Sequence, residues 1–307
     1  MFPRHALMLL VCMSSLGCDP RVQLDLFAGE PSDDAGVVDA GWEQAVPEAG
    51  AAQPAPQRDA AIAEDDASWF APNDRDAGTE QGDAKTASAS SGLVVRYDFS
   101  GRGTRVRDLV GSSAARVLGG AELDGTGGLT LDGVDDYVDL PNGTLSSHTS
   151  ATIAVWLRWG GGVCWQRVFD FGCNDSGEDR QGNALASLFV TLSSCPDGTL
   201  AMMAELTPRQ FFARAERFVN IEQPLQVTLS FDAARSLVTL YQDGVRVAEM
   251  PAEFELAELS DVNAWLGRSQ WVQDRFARVR YDEFRMYDRA LSSAEVRDIV
   301  ARGPDAP

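Results

Sequence analysis

Histidine is nearly absent from this sequence, since only His5 and His148 occur among 307 residues. Basic residues are also scarce: 26 Lys and Arg stand against 46 Asp and Glu, which gives a formal net charge of −20. A chain this acidic cannot neutralise a row of phosphates, and anionic lipid headgroups repel it. The composition therefore argues against nucleic-acid binding and against electrostatic membrane binding, and it leaves little material for histidine-based catalysis.

The first 18 residues have the features of an export signal. Arg4 precedes a short apolar run over residues 6–13, which is too short to span a bilayer as a helix. The segment ends in Gly17-Cys18 and resembles a bacterial lipoprotein signal, although Ser15 stands where that family usually has leucine. The resemblance implies lipid attachment at Cys18 and a cell-envelope lipoprotein, either periplasmic or on the outer surface. Plain secretion is the alternative.

Residues 19–92 differ in composition from the rest of the chain. Ala, Asp, Glu, Pro, Gly, Gln and Ser dominate this segment, and it holds 16 acidic residues but 4 basic ones. With few aliphatic residues and no sustained period, it cannot bury enough apolar surface to offset the entropy cost of ordering. We therefore predict a disordered, self-repelling linker that holds the following domain away from a membrane.

From Leu93 to about Tyr287 the chain contains short runs of alternating apolar and polar residues, separated by Gly, Asp, Asn and Ser. This spacing is typical of an all-β sandwich or barrel. Asp243-Gly244, between two such runs, predicts a tight hairpin because glycine accepts a positive φ. Ser292 and Glu295 form a capping box, which predicts one short helix before a tail at residues 302–307.

Five motifs occur in a characteristic order: LDGVDDYV at 131–138, WQRVFDFG at 165–172, VTLYQDGV at 238–245, WLGRSQ at 265–270 and YDEFRMYDRALS at 281–292. In this order they resemble the LamG-like jelly-roll domains of the concanavalin A-like lectin/glucanase superfamily, over residues 93–301. The resemblance implies a two-sheet antiparallel jelly-roll sandwich with a short C-terminal helix. Members bind carbohydrates or proteins, so the fold alone does not determine the function.

Candidate ligand residues are the polar and aromatic side chains that these strands add. They are Arg167, Asp170, Gln270, Trp271 and Arg285. Trp165 is a further candidate for stacking on a sugar ring, because its neighbours are also polar; core or rim packing is the alternative for both tryptophans.

Other residues of the same motifs have structural interpretations. Trp156 and Trp265 lie within apolar patterns and are predicted to be buried. Arg268 and Asp282 are predicted to form a buried ion pair that holds the last strands together.

The cysteines of the predicted domain are Cys164, Cys173 and Cys195. If the runs that end near Gly172 and start near Ala186 form a hairpin, position 172 faces 186, and Cys164 lies opposite residue 194. A disulfide needs Cα atoms within about 7 Å, so Cys164–Cys195 is the favoured pair. Cys173–Cys195 is the competing pair if the intervening loop folds back. The spacing does not suit a zinc site.

No catalytic motif is recognisable. Glucanases of this superfamily carry a Glu-x-Asp-x-x-Glu strand motif, and this spacing does not occur here. The sequence therefore predicts a protein that is not an enzyme and requires no cofactor. Calcium is the one metal that the resemblance implies, with Asp135 and Asp136 as candidate ligands, although acids in solvated turns are common without a metal.

Together these features predict a non-catalytic cell-envelope binding module. Its partner would be a polysaccharide or a cell-surface protein, and its membrane contact would be made only through a lipid anchor. The alternatives are a structural or adhesion component without a ligand pocket, and a polysaccharide hydrolase with atypical catalytic residues.

Overall fold

The computed structural model describes residues 91–193 and 219–306, and the strand backbone of residues 203–207 and 211–214. The predicted signal at 1–18, with Cys18, lies outside the described residues, as does the predicted linker apart from its last two positions. Cys195 is also outside them.

Seventeen strands, one 3-10 helix and one α-helix make up the described part of the chain. The strands are β1 (Leu93–Tyr97), β2 (Arg102–Gly103), β3 (Arg105–Val106), β4 (Ala115–Leu118), β5 (Leu123–Asp124), β6 (Leu129–Asp132), β7 (Tyr137–Asp139), β8 (Ala151–Trp159), β9 (Arg167–Asn174), β10 (Ala184–Thr191), β11 (Met203–Thr207), β12 (Phe211–Arg214), β13 (Pro224–Asp232), β14 (Leu237–Gln242), β15 (Val245–Pro251), β16 (Asn263–Leu266) and β17 (Arg278–Tyr287). The 3-10 helix covers Leu256–Leu259, and α1 covers Ser293–Arg302.

The strands form two main antiparallel sheets. The seven-stranded sheet has the order β1-β17-β8-β13-β14-β15, with β6 also paired to β17. The eight-stranded sheet has the order β12-β11-β10-β9-β16-β7-β4-β3, and β2 and β5 form a small separate pair. Neighbours in each sheet are often far apart in sequence, as in a jelly roll, and the predicted all-β sandwich with a short C-terminal helix is confirmed.

Strand alternation builds the core between the sheets. On β8, Ile153, Val155, Leu157 and Trp159 all join the main apolar cluster, as their period of two predicts. The opposite face of β8 carries Trp156, which is also buried but lies outside that cluster. The sandwich therefore has apolar packing on an outer face as well as between its sheets.

Helix α1 covers the outer face of the seven-stranded sheet. The hydroxyl of Ser292 accepts the backbone N–H of Glu295, and the Glu295 side chain accepts the Ser292 N–H, so the predicted capping box is present. Val296 and Ile299 of the helix belong to the same buried cluster as Trp156. The helix is thus held both by its cap and by its apolar face.

The predicted hairpin at Asp243-Gly244 is also present. Both residues have positive φ, 52° and 78°, and they join β14 to β15. This geometry at both central residues is the one that matches the twist of the flanking strands.

Gly119 directly follows β4, where β4 pairs with β7, and it tests whether a residue with a side chain is tolerated at this position. Its φ is +96°, and an added Cβ would overlap the backbone oxygen of Asp135. We expect Gly119→Ala to lower the free energy of unfolding by more than about 3 kcal/mol, since steric overlap adds to the strain of a left-handed residue. Urea denaturation measures this change.

Gly127 is the matched control. It has a φ of +78°, but a Cβ there would meet nothing within 4 Å. Gly127→Ala should therefore cost only about 1–2 kcal/mol. Equal losses in the two variants would show that the contact with Asp135 does not constrain the fold.

Candidate functional site

Arg167 and Asp170 begin the site on β9, a central strand of the eight-stranded sheet. Residues three apart in a regular strand lie on opposite faces. Here the register shifts between the pairs Phe169–Val190 and Arg167–Thr191, which adds one residue to β9. The bulge lets the two side chains meet, with 3.3 Å between Arg167 Nε and Asp170 Oδ2.

Arg167 is only 1% exposed, and its guanidinium group is bonded in three directions. Besides Asp170, its Nη2 lies 2.6 Å from Asp274 Oδ2, and its Nη1 donates to the Trp165 carbonyl at 2.9 Å. Two carboxylates and a carbonyl therefore replace the water that burial removes.

Three aromatic rings surround the same guanidinium. Its central carbon lies 3.8 Å from the centroid of Phe189, 5.4 Å from that of Trp271 and 5.9 Å from that of Trp165. Phe189 and Trp271 also meet edge to face at 5.5 Å. Because both indoles lie within 6 Å of one atom, two loops that are distant in sequence are brought to one place.

Both tryptophans are half-buried. Val163 and Val272, which are near them in sequence, are 56% and 65% exposed. We call Val163, Trp165, Trp271 and Val272 the tryptophan surface. Trp165 has a φ of 66°, a conformation that costs free energy for a bulky residue, and its N–H donates to the Ser193 carbonyl at 2.7 Å.

Asp170 and Gln270 lie beneath this surface and are fully buried. Asp170 accepts the Ser187 hydroxyl and the backbone N–H of Gln270, the latter at 3.0 Å. Burial raises the pKa of Asp170 to about 6, against the effect of the nearby Arg167. Burial likewise raises the pKa of Asp274.

The Gln270 side chain extends this buried network. Its Oε1 accepts from Asn174 at 2.9 Å and from Asn263 at 3.0 Å. In this conformation Asp170 and Gln270 offer no surface to a ligand. They fix the loop that carries Trp271, which is a positioning role.

Arg285 lies on the other sheet, apart from the four other predicted ligand residues. Its Nε is 2.7 Å from Glu283, its Nη2 donates to the Pro304 carbonyl at 2.7 Å, and its guanidinium carbon is 4.9 Å from the Trp156 ring centroid. The structure thus joins Arg167, Asp170, Gln270 and Trp271 and separates Arg285 from them.

The predicted ion pair between Arg268 and Asp282 is wrong. Arg268 follows β16 of the eight-stranded sheet, whereas Asp282 is on β17 of the seven-stranded sheet, where it pairs with Arg280 at 3.0 Å. The Arg268 guanidinium instead lies 4.2 Å from the Trp265 centroid and 4.4 Å from the Tyr137 centroid.

Trp156 and Trp265 are 7% and 0% exposed, so their predicted burial is confirmed. Asp274 and Phe189 complete the site but were not predicted. Asp274 is 107 residues from its partner Arg167, and no local pattern signals a contact over that separation.

The candidate calcium ligands lie in a turn. Carboxylate oxygens of Asp132, Asp135 and Asp136 come within 4.8 Å of one another. Asp136, however, already accepts the N–H groups of Ala121 at 2.7 Å and Asp132 at 3.1 Å. Three carboxylates can supply only part of the six to eight oxygens that calcium takes, and these bonds give Asp136 a structural role without an ion. Calcium binding at Asp135 and Asp136 stays a prediction.

The register around the cysteines is close to the predicted one. Gly172 pairs with Ser187, one residue from the expected partner, and Cys173 pairs with Ala186. The bond from the Trp165 N–H to Ser193 continues this pairing toward Cys164. Because Cys195 lies outside the described residues, Cys164–Cys195 and its competitor Cys173–Cys195 both stay predictions.

Within the described ranges, no helix has the length and apolar character required to cross a membrane.

A family model described as the concanavalin A-like lectin/glucanases superfamily matches residues 132–297. No curated protein sequence matches the chain. Among solved structures, domain 4 of AbnA, an extracellular arabinanase from Geobacillus stearothermophilus in complex with arabinotriose, is 17% identical, with a TM-score of 0.45 over 67% of this chain and 97% of that chain.

Two further structures are similar. The Trypanosoma rangeli sialidase is 16% identical, with a TM-score of 0.49 over 69% of this chain and 33% of its own. The binding domain of botulinum neurotoxin DC, in complex with rat synaptotagmin II, is 12% identical, with a TM-score of 0.50 over 68% of this chain and 51% of its own. At these identities the similarity shows the fold alone.

The carboxyl group of Asp139, at the end of β7 in the eight-stranded sheet, allows a raised pKa to be tested. Burial, and then the nearby Asp179 carboxylate, raise the pKa of Asp139 to about 6. A raised pKa means that the folded state holds the proton more tightly, so the resulting stabilisation is full below about pH 4 and is lost as the pH rises through 6. The stability of the wild type relative to Asp139→Asn should therefore fall between pH 4 and pH 7 in urea titrations.

Asp175 gives a control of opposite sign. Hydrogen bonds from Asn183 lower its pKa, so its contribution is present above the ordinary pKa of aspartate and is lost as the pH falls through the lowered value. The stability of the wild type relative to Asp175→Asn should thus fall toward acid. A profile for Asp139 that also falls toward acid would contradict the assignment for Asp139.

Proposed function

Because the chain belongs to the concanavalin A-like lectin/glucanase superfamily, we propose that it is a non-catalytic binding module whose tryptophan surface recognises a carbohydrate. The observation that carries the proposal is that two half-buried tryptophans, Trp165 and Trp271, are fixed together beside the buried Arg167. Indole faces pack well against the C–H faces of sugars, and a fixed ring loses little conformational entropy on binding.

The negative net charge of the domain favours a neutral ligand over an anionic one. Residues 93–307 contain 30 acidic and 21 basic residues, so the domain repels polyanions. Arg167 adds no free positive charge, since Asp170 and Asp274 both contact it. A neutral polysaccharide therefore fits better than a sulfated or uronic-acid polymer, and nucleic acid is not a partner.

Substitution of the two indoles tests this proposal. A glycan array first identifies a glycan that retains the wild-type protein. In the full chain, Trp271→Ala and Trp165→Ala should each weaken binding to that glycan by about tenfold or more, which corresponds to about 1.4 kcal/mol. Val134→Ala is the control, because Val134 is 71% exposed on a different turn, and this variant should bind as the wild type does. The proposal would be rejected if both tryptophan variants kept full affinity, or if the wild type bound no glycan on the array.

A surface protein is the second candidate partner, and self-association in a surface assembly is the third. The exposed side chains of Val163 and Val272 favour these alternatives, since apolar groups at the centre of an interface gain most from burial. Analytical ultracentrifugation distinguishes self-association from ligand binding: a mass that rises with concentration in the wild type but not in Val272→Asp would favour the assembly role.

The absence of catalysis is part of the proposal. Incubation with a polysaccharide panel should release no reducing ends. Turnover that is abolished by substitution of one Asp or Glu would instead favour a hydrolase with atypical catalytic residues.

We also propose that the module is a cell-envelope lipoprotein attached at Cys18. The chain expressed in a bacterial host should incorporate labelled palmitate and sediment with membranes, because three acyl chains anchor a protein firmly. Cys18→Ser should lose the label and the membrane association. A wild-type protein that is processed but unlabelled would indicate plain secretion.

A further inference from the structure

A cavity lies on the outer face of the seven-stranded sheet, on the other sheet from the tryptophan surface. It has a volume of about 340 Å³ and opens between strands β8, β13 and β17 and the end of α1. Trp156, Pro224 and Leu225 form its apolar part, and Val300 and Pro304 form one wall. This volume is within the range of about 300–1,000 Å³ that small-molecule sites occupy.

The wall formed by the tail is held in place by two arginines. Arg285 Nη2 donates to the carbonyls of Pro304 at 2.7 Å and Ala306 at 2.6 Å, and Arg96 Nη2 donates to Pro304 at 3.1 Å. Glu283 accepts from the Nε of both arginines, at 2.6 Å and 2.7 Å. Charge-assisted hydrogen bonds are stronger than neutral ones, so these bonds hold the tail as one wall of the cavity without a ligand.

The polar lining offers both donors and acceptors. Arg158 Nε and Asp282 Oδ2 lie 3.5 Å apart, and their side chains are 40% and 21% exposed. Asp243 also lines the cavity, and its Oδ1 accepts the Gln226 N–H at 2.9 Å.

These features define the kind of molecule that the cavity fits. One cation and two carboxylates line it, which disfavours an anion, and a purely apolar molecule would desolvate Arg158 and Asp282 without replacing their bonds to water. Hydroxyl groups act as both donors and acceptors, so one can accept from Arg158 while another donates to Asp282, and both of these side chains are partly exposed. An apolar C–H face would pack on Trp156 and Pro224.

We propose that this cavity is a second ligand site, which takes one neutral sugar residue or a polyol of similar size. The site is independent of the tryptophan surface, because it shares no residue with it. The module would then hold a ligand on the outer face of each sheet.

Saturation-transfer NMR on the full chain tests the proposal, with glucose, galactose, mannose, arabinose and N-acetylglucosamine as separate probes. At least one sugar should give a signal that titrates, and Arg158→Met should weaken its binding at least tenfold. Arg235→Met is the matched control, since its side chain is 75% exposed and pairs only with Asp232 in the described structure, and it should leave the affinity unchanged.

A second variant tests the same cavity in case Arg158→Met does not fold. Val300→Phe adds bulk to a half-buried position of the wall, so it should fill the cavity and weaken the same sugar without removing a charge. Thermal unfolding of each variant confirms that the fold is retained. Binding that persists in both variants, or no binding by any of the five sugars, would overturn the proposal.

Trp271→Ala separates this proposal from the first. Sugar binding that survives Trp271→Ala but is lost in Arg158→Met belongs to the cavity. Binding lost in Trp271→Ala and kept in Arg158→Met belongs to the tryptophan surface, and it would reject the second site while leaving the carbohydrate-binding proposal in place.

Discussion

A buried guanidinium is among the most costly groups that a fold can enclose, and Arg167 is one. The free-energy cost of removing the charge from water is of the order of several kcal/mol, and it is offset only where partners are placed accurately. Here the partners come from four segments: Asp170 on the same strand, Phe189 on the neighbouring strand, and Trp165 and Asp274 on separate loops. Arg167 can be buried only when all four have reached their positions, so the geometry of the tryptophan surface is tied to completion of the fold.

The two outer faces of the sandwich are covered by different means. Helix α1 and the chain that follows it cover the seven-stranded sheet, through apolar contacts at Val296 and Ile299 and through the arginine bonds to Pro304. On the eight-stranded sheet, loops anchored by Asn174 and Gln270 provide the cover. A helix covers a face with regular backbone bonds, whereas loops leave side chains such as Trp271 at the surface. This difference explains why the tryptophan surface lies on the loop-covered sheet.

The sequence allowed the strands with strict alternation to be predicted closely. The alternation of apolar residues from Thr152 to Trp159 predicts a strand, and β8 covers Ala151–Trp159 in the structure. The expected pairing of β9 with β10 differs from the observed one by one residue. The short strands β2 to β5 were missed, because runs of two to four residues are too short to show a period. Tertiary pairing, not local propensity, makes such segments extended.

The sequence by itself determined the class of fold, the capping box that starts α1 and the hairpin at Asp243-Gly244, because each depends on neighbours within a few residues. The tertiary structure alone decided which polar side chains meet. The bulge beside Phe169 places Arg167 on the same face as Asp170, and β17 carries Arg285 to the opposite sheet. One extra residue in a strand reverses the face of every side chain beyond it, and such an irregularity depends on the partner strand, so the pattern of a single chain does not contain it.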